Sequence, residues 1–577
     1  MTQHTTGHYL IEGLVDCGVE YLFSNFGTDH VTIVEELAAW QLAGRQGPQV
    51  VICPHENVAV HMAGGYAAAT GRGQAVLVHV DAGTANAAMG MHNLARTRLP
   101  VMLMAGRAPF AVRGELPAGR DNYVHFVQDP YDINAIVRNY VKWEFNLPSG
   151  VIAKEAVRRG HSMMQSDPPG PIYLTLPRET LAQTWDAEQV HAFPAARYGA
   201  VAAGGVEPAR AARLAEQLMA AENPIAVTTY LGRKPAAVAA LVALAESCGI
   251  RVVEAGPVYL NFPRDHACFA GFDAGAAMAD ADLGLLLDVD VPWIPKFTPQ
   301  ADRVRWVQID VDAAKKDFPI WGFAADERVQ ADCATVLEQI LTAVVARADD
   351  AYRARVAARI AGFASARAAR AERLAKAAAN PGVADALTAD HVCAAIARRL
   401  DPRDVVINEA IRNTGAVLNQ MPRSQPGTFF SSAGGGLGAT AGMALGVKLA
   451  DPSRRVVQIS GDGVFQFSTP DAVYAVAAQY GLPILTVVLD NRGWSAVKES
   501  VLRVYPQGQA VAGDQFQARL DGFKQGAQRR FEDVGAAFGA HPERVTTPDE
   551  LDGAIDRCFA ALDRGQAAVL TVRVTPL

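Results

Sequence analysis

The sequence predicts an α/β protein built from three parallel-sheet domains. Three observations carry that prediction. A chain of 577 residues holds about three to four domains at roughly 150 residues each. Short apolar, β-branched runs alternate with longer helical patterns, which is the rhythm of parallel α/β units. The rhythm occurs three times, broken by an Ala/Gly-rich stretch near 195–205 and by an Ala/Arg-rich helical pattern over 351–379. The expected divisions are an N-terminal domain over 1–190, a central Rossmann-like domain over 200–345, a linker helix over 346–384 and a C-terminal domain over 385–577.

In the first domain, strands are expected over 21–24, 50–53, 75–80, 101–105 and 172–176, with a small-residue helix over 57–70. In the central domain they are expected over 225–230, 251–254, 283–288 and 305–311. The arginine-rich pattern that follows reads as a solvated linker helix rather than an RNA-binding arm. The last domain has strand patterns over 405–408, 428–431, 455–459, 484–489 and 569–574, and its size and rhythm resemble those of the first. No short sequence repeat is visible.

Composition removes several classes of function. Half the residues are hydrophobic and 20% are charged, as in an ordinary folded protein. A net charge of −7 gives no general electrostatic grip on nucleic acid. The seven cysteines are scattered and include no CxxC pair, so neither a disulfide framework nor a structural zinc site is expected, and a reducing compartment fits. The N-terminus, MTQHTTGHYL, lacks a basic region followed by an apolar one, and no run approaches the roughly 18 apolar residues of a membrane span. A cytoplasmic location is expected.

The strongest chemical signal lies in the last domain. The expected strand over 455–459 runs into Gly461-Asp462-Gly463, and the strand over 484–489 runs into Asp490-Asn491-Arg492-Gly493. Asp462 and Asn491 thus stand at the carboxyl ends of two nearby parallel strands, where such sheets bind ligands. A carboxylate, an amide oxygen and the Gly493 carbonyl are hard donors suited to Mg²⁺. Gly461 and Gly463 let the backbone approach a phosphate closely.

This spacing resembles the diphosphate-binding motif of thiamine diphosphate-dependent enzymes. The family usually shows Asn-Asn at the motif's end, and here Asp490 stands first, with Asn491 in the metal-ligand position. The resemblance implies an acid after the second strand of the N-terminal domain. Glu56, in Val50-Val-Ile-Cys-Pro-His-Glu56, meets that requirement and would bond the pyrimidine ring and share its proton. It also implies a bulky apolar wedge. In Ser432-Ala-Gly-Gly-Gly-Leu437-Gly438, Leu437 would be the wedge, 25 positions before Asp462, and the Gly435 carbonyl would accept from the pyrimidine amino group. The loop Asn408 to Thr414, with Asn413, is similar to the one that touches the diphosphate.

The resemblance spans the chain. It points to the branch of acetolactate synthase, benzoylformate decarboxylase and oxalyl-CoA decarboxylase, with pyrimidine-binding, central and diphosphate-binding domains in that order. It implies a homodimer or homotetramer, with Glu56 and Asp462 reaching one cofactor from different subunits. His79-Val-Asp-Ala-Gly-Thr-Ala-Asn86 is similar to a segment of benzoylformate decarboxylase, which makes His79 a proton-transfer candidate and Asn86 a neighbour of the cofactor. The stretches 99–106 and 126–130 resemble acetolactate synthases, although Val127 stands where that family has Gln. His125 and Gln128 are then candidate pocket residues. No Gly-rich loop in the central domain reads as an FAD or ADP site. Arg233 and the run Asp288-Val-Asp-Val-Pro-Trp-Ile-Pro-Lys296 are candidates for a cleft or a subunit contact.

The function implied is decarboxylation or carboligation of small 2-keto acids with thiamine diphosphate and Mg²⁺. The alternatives are a 2-hydroxyacyl-CoA or oxalyl-CoA lyase, a flavin-dependent oxidase of the pyruvate oxidase type, and a cofactor-binding paralogue without turnover.

Overall fold

The computed structural model describes residues 3–513 and 529–576. Among these residues, three six-stranded sheets account for the architecture, and every strand pair within them is parallel. The N-terminal sheet runs, edge to edge, Gln49–Ile52, Tyr21–Ser24, Gln74–Val78, Val101–Arg107, Ile172–Pro177, Glu144–Asn146. The C-terminal sheet runs Phe429–Ser431, Val405–Glu409, Val456–Gly461, Leu485–Asp490, Ala568–Arg573, His541–Val545. Counted within each domain, both sheets have the strand order 2-1-3-4-6-5. The repeat that the sequence conceals is therefore a repeat of topology. The central sheet runs Phe269–Gly271, Arg251–Glu254, Ile225–Thr228, Leu283–Leu287, Arg305–Asp310, Glu327–Gln330, the order 3-2-1-4-5-6 of doubly wound dinucleotide-binding sheets.

The two outer domains share one apolar core. Met62, Ala63 and Leu94 of the first pack in the same cluster as Met443, Ala444 and Tyr474 of the last. The contact is made by two helices rich in small residues, Glu56–Thr70 and Ala439–Ala450. A Cβ on Gly65 would collide with the Met443 carbonyl, and one on Gly446 with the Met62 carbonyl. Glycine at both positions is what lets the backbones touch.

The central domain has its own core, and the 29-residue helix Asp350–Ala378 packs on it. The expected solvated linker is exposed along most of its length, but Tyr352 and Val356 are buried. Arg359 donates to the carbonyls of Cys248 (2.6 Å) and Ala221 (2.7 Å). Arg370 lies 4.8 Å from the Phe269 ring centre. The arginines of this helix thus serve in part as clamps to the central domain.

The first and central domains are joined by buried charge. Arg98, which ends the helix Val80–Thr97, reaches the carboxyl ends of two central strands. It donates to Asp310 (3.1 Å) and Asp290 (2.9 Å), and Asp288 lies 3.5 Å away. Lys315 bonds Asp290 (2.6 Å) and Asp310 (2.5 Å). The run Asp288–Lys296 flagged in the sequence thus anchors a domain contact, while Arg233 pairs with Asp167 at 3.4 Å. Burial and the neighbouring Asp310 push Asp288 up to about 6. Arg98→Met would leave three carboxylates facing Lys315 alone. The expected loss is about 3–5 kcal/mol, read from the denaturant midpoint of the unloaded chain. Because the fold raises the Asp288 pKa, that group's contribution to stability is lost as pH rises through about 6. Arg98 itself lowers the Asp288 pKa, so without it that carboxyl stays protonated to higher pH and the variant's deficit is expected to grow as pH rises through about 6. A loss below about 1 kcal/mol would mean that the cluster is no stronger than a surface pair.

No helix among the described residues is long and apolar enough to cross a membrane.

Candidate active site

The site forms where the strand order reverses in both outer sheets, at the carboxyl ends of their strands. Glu56 follows the second strand of the first domain and opens a helix, capped by the His55 ring, which accepts from Asn57 N (3.0 Å). Its carboxylate is buried. Oε1 accepts from Asn25 Nδ2 (2.6 Å) and Oε2 from Asn86 Nδ2 (3.0 Å). Two amides hold the group in one orientation at the start of the helix. Asn86 was a sequence candidate; Asn25 was missed, because nothing local in the sequence marks a strand-end asparagine.

The Gly434–Gly438 loop faces this helix from the last domain. Glu409, at the end of strand Val405–Glu409, accepts from Gly438 N (2.8 Å), Thr440 N (2.9 Å) and Thr440 Oγ1 (2.7 Å). Burial raises its pKa, and those three donors oppose the shift. Asn93 grips Gly436 twice: its Oδ1 accepts from Gly436 N (3.1 Å) and its Nδ2 donates to the Gly436 carbonyl (3.0 Å). Neither Glu409 nor Asn93 was predicted as a loop-holder. Between these clamps Gly435 is exposed, with open space around it, and Leu437 is half-buried and outside the apolar cores. A side chain held on a fixed loop without being packed is suited to press on a ligand. Leu437→Ala is therefore expected to cost little stability while lowering kcat roughly ten- to a hundredfold through misplacement of the bound group. A fall in melting temperature with unchanged specific activity would mean that Leu437 only packs.

Asp462 opens the short helix Asp462–Phe467 at the end of the strand Val456–Gly461. Gly461 pairs in register with Leu489, so Asp490 and Asn491 stand beside Asp462. Asp462 Oδ1 accepts from Gly463 N (2.9 Å) and Oδ2 from Arg529 (2.7 Å). Arg529 also lies 3.7 Å from Asp490, whose other oxygen takes Arg573 (2.8 Å). Burial and the adjacent Asp490 push Asp462 up to about 7. Asn491 Oδ1 accepts from Gly493 N (3.3 Å), and the Gly493 carbonyl accepts from Ser495 N (3.0 Å), which leaves it one lone pair. A carboxylate, paired here with Arg529, beside an amide oxygen and a carbonyl oxygen is a set of hard donors, so these residues fit a divalent cation. Asn413, in the 410–413 turn, has a buried Nδ2 without a partner, and the Ala410 carbonyl is 3.8 Å from the position of a Cβ on Gly461. An orphaned donor there fits a phosphate oxygen.

The two halves meet at their helix ends. Asn57 Nδ2, next to Glu56, donates to the carbonyl of Phe467 (3.5 Å), the last residue of the helix that Asp462 opens. Six helical residues span roughly 9 Å. Asp462 thus stands about one such helix length from the contact beside Glu56. Within one chain the helices that Glu56 and Asp462 open are in contact.

His79 ends strand three of the first domain and caps the helix that carries Asn86. Its Nδ1 bonds Asp29, and its Nε2 lies 3.0 Å from Gln128 Oε1. His125 Nε2 sits 3.3 Å from Thr28 Oγ1. His79, His125 and Gln128, chosen from separate segments, therefore gather around the Gly27–His30 turn. Asp29 was not predicted.

Comparison with known proteins assigns this geometry. Residues 4–136 match the N-terminal TPP binding domain of thiamine pyrophosphate enzymes, and residues 413–572 match the C-terminal TPP binding domain. The chain belongs to the thiamine pyrophosphate enzyme family. A benzoylformate decarboxylase of Pseudomonas aeruginosa is 26% identical over 94% of each chain. The acetolactate synthase large subunit of Haemophilus influenzae is 22% identical over 96% of this chain and 91% of that one. The crystal structure of a benzoylformate decarboxylase from Polynucleobacter necessarius and that of a 4-hydroxybenzoylformate decarboxylase from Rhodococcus jostii each superpose over the full length of both chains, at TM-score 0.78 and 20% identity. They establish that the three-domain fold is that of thiamine pyrophosphate enzymes. The matched segments contain Glu56, His79 and Asn86 in the first domain and Leu437, Asp462 and Asn491 in the last.

Proposed function

We propose that the chain is a decarboxylase of 2-keto acids that uses thiamine diphosphate and Mg²⁺. The observation that carries this reading is a paired acid, Glu56, and an imidazole, His79, on the first domain, with the Leu437 loop of the last domain held to that domain by Asn93 and the helix that Asp462 opens held to it by Asn57. The cofactor, when bound, supplies the carbanion-stabilising chemistry next to a carbonyl. Asp462, Asn491 and the Gly493 carbonyl would hold the cation, and Asn413 the diphosphate. Glu56 would share a proton with the pyrimidine ring, Asn25 and Asn86 fixing its two oxygens. Leu437 would set the cofactor's bend. His79 would give a proton to the carbon that loses CO₂.

The relation to a benzoylformate decarboxylase along nearly the whole chain supports decarboxylation ahead of ligation. The Arg98 cluster also weighs against a flavin. At the switch point of the central sheet, Asp288, Asp290 and Asp310 are acceptors, and both cations are already committed to them. A homodimer or homotetramer belongs to this reading and is tested by light scattering. The deciding experiment is a panel of aliphatic and aromatic 2-keto acids, 2-hydroxyacyl-CoAs and aldehydes, run with cofactor and Mg²⁺ and read by mass. Aldehyde from a 2-keto acid is the expected product. Turnover only of CoA esters, or only of two keto acids joined, would replace it.

A further inference from the structure

We propose that Asp29 is a positioning residue that fixes the His79 ring through Nδ1 and favours its charged form, so that Nε2–H serves as a proton donor. This rests on the proposed decarboxylation. Asp29 is 1% exposed and sits in the turn after the first strand. Its Oδ1 takes His79 Nδ1, and its Oδ2 takes the backbone N–H of Val80 (3.3 Å), so both oxygens address the start of one helix. The space is shaped for this pair. A Cβ on Gly106 would overlap the Asp29 carboxylate, and one on Gly27 would overlap the His79 ring.

The tautomers follow from the partners. His30 Nδ1 accepts from Gly27 N (3.0 Å), so its proton is on Nε2, which lies 3.1 Å from Asp29 Oδ2 but off the line of a hydrogen bond. His79 must donate through Nδ1 to the carboxylate. Its Nε2 lies 3.0 Å from the Gln128 side-chain amide; with the amide oxygen turned to it, both ring nitrogens donate, which is the pattern of an imidazolium. The groups facing this ring are few. Asp29 and Asp81 favour its charge. Desolvation opposes it, and His125 is held below its ordinary value by burial, so it stays neutral and competes little for a proton. His125 itself faces Asp121 at 3.2 Å, and Asp121 is paired with Arg178. The balance raises the His79 pKa, with the Asp29 bond the largest cause. His79 is thus protonated through its ordinary value of 6.5, and the donor is lost only as pH rises through the higher folded value.

The reaction needs that proton. Conversion of R–CO–CO₂⁻ to R–CHO and CO₂ breaks one C–C bond, forms one C–H bond and consumes one H⁺. His79 Nε2–H supplies the H⁺ and is recharged from water. With 23% of its side chain exposed, His79 is open to water.

The test uses ¹⁵N NMR of the histidine rings in the full chain without cofactor, with His79 assigned by loss of its signal in His79→Gln. In the parent, His79 is expected to be doubly protonated at pH 6.5 and to titrate above that value. In Asp29→Asn the midpoint is expected to fall to 6.5 or below. In the loaded enzyme kcat is expected to drop roughly ten- to a hundredfold with KM little changed, and the basic limb of the kcat profile to move down with the midpoint. An unmoved midpoint, or a lower kcat on an unmoved limb, would overturn the proposal, the second leaving Asp29 a structural role. If Asp29→Asn does not fold, the parent decides: a His79 ring that is neutral at pH 6.5 overturns it. If no 2-keto acid is turned over, the functional reading fails while the ring titration still decides what Asp29 does to His79.

Discussion

Asp462→Ala is expected to abolish retention of thiamine diphosphate at ordinary Mg²⁺ concentrations. In the proposed reading the substitution removes the carboxylate through which the cation would tie the diphosphate to the chain. Loss of one partner from a buried charged contact is worth about 3–5 kcal/mol, so affinity should fall by roughly 10²–10³-fold. Asn491→Ala should cost less, about tenfold, because water can replace a neutral ligand. Stability separates binding from folding. The folded chain raises the Asp462 pKa to about 7 through burial and Asp490, so this carboxyl's contribution to stability is greatest in acid and is lost as pH rises through that value. At about pH 8 the unloaded variant should therefore melt close to the parent, with Arg529 still beside Asp490. Calorimetry with thiamine diphosphate and Mg²⁺ measures the affinity. If both variants bind as the parent does, these residues do not hold the metal.

How far the sequence reaches is seen in these residues. Asp462 and Glu56 were legible because each stands in a local signal: an apolar strand, a tight turn and a helix start. Their supports were not, because each partner is distant in the chain. Arg529 lies 67 positions from Asp462, Asn25 lies 31 from Glu56, and Asn93 lies 343 from Gly436. The fold divides along a similar line. Interior strands read clearly, since strands buried on both faces form continuous apolar runs. The missed six-stranded-sheet members, Glu144–Asn146, Phe269–Gly271, Glu327–Gln330 and His541–Val545, are all edge strands. They are short or polar because one side lacks a neighbour. The shared strand order of the outer domains follows from connectivity, which composition does not record. It places Asn25, just after strand one of its domain, and Glu409, at the end of strand one of its own, in parallel tasks: one holds Glu56, and the other holds the Gly434–Gly438 loop.

Glu56→Gln should fold and retain cofactor, yet exchange the thiazolium proton far more slowly. The substitution keeps size and reach. Asn25 Nδ2 can still donate to the new amide oxygen, while the amide nitrogen would face Asn86 Nδ2, a second donor. That conflict predicts that Asn86 turns its own oxygen toward the new amide, so the pocket stays closed and its hydrogen bonds stay filled. What is lost is the proton. A carboxyl can share one with a ring nitrogen in a site shielded from water, and an amide cannot. General acid–base catalysis is typically worth 10²–10⁴-fold, so the fall should lie in that range and not be a few-fold. Asn86→Ala gives the complementary case. The carboxylate stays but is held by Asn25 alone, so exchange should slow by roughly tenfold, the weight of one hydrogen bond to a charged group. Exchange of the thiazolium hydrogen for deuterium, followed by NMR after acid quench at equal bound cofactor, ranks the three proteins. Parent faster than Asn86→Ala, and that faster than Glu56→Gln, is the expected order. Equal rates for parent and Glu56→Gln would remove Glu56 from the proton path and leave its two asparagines as packing.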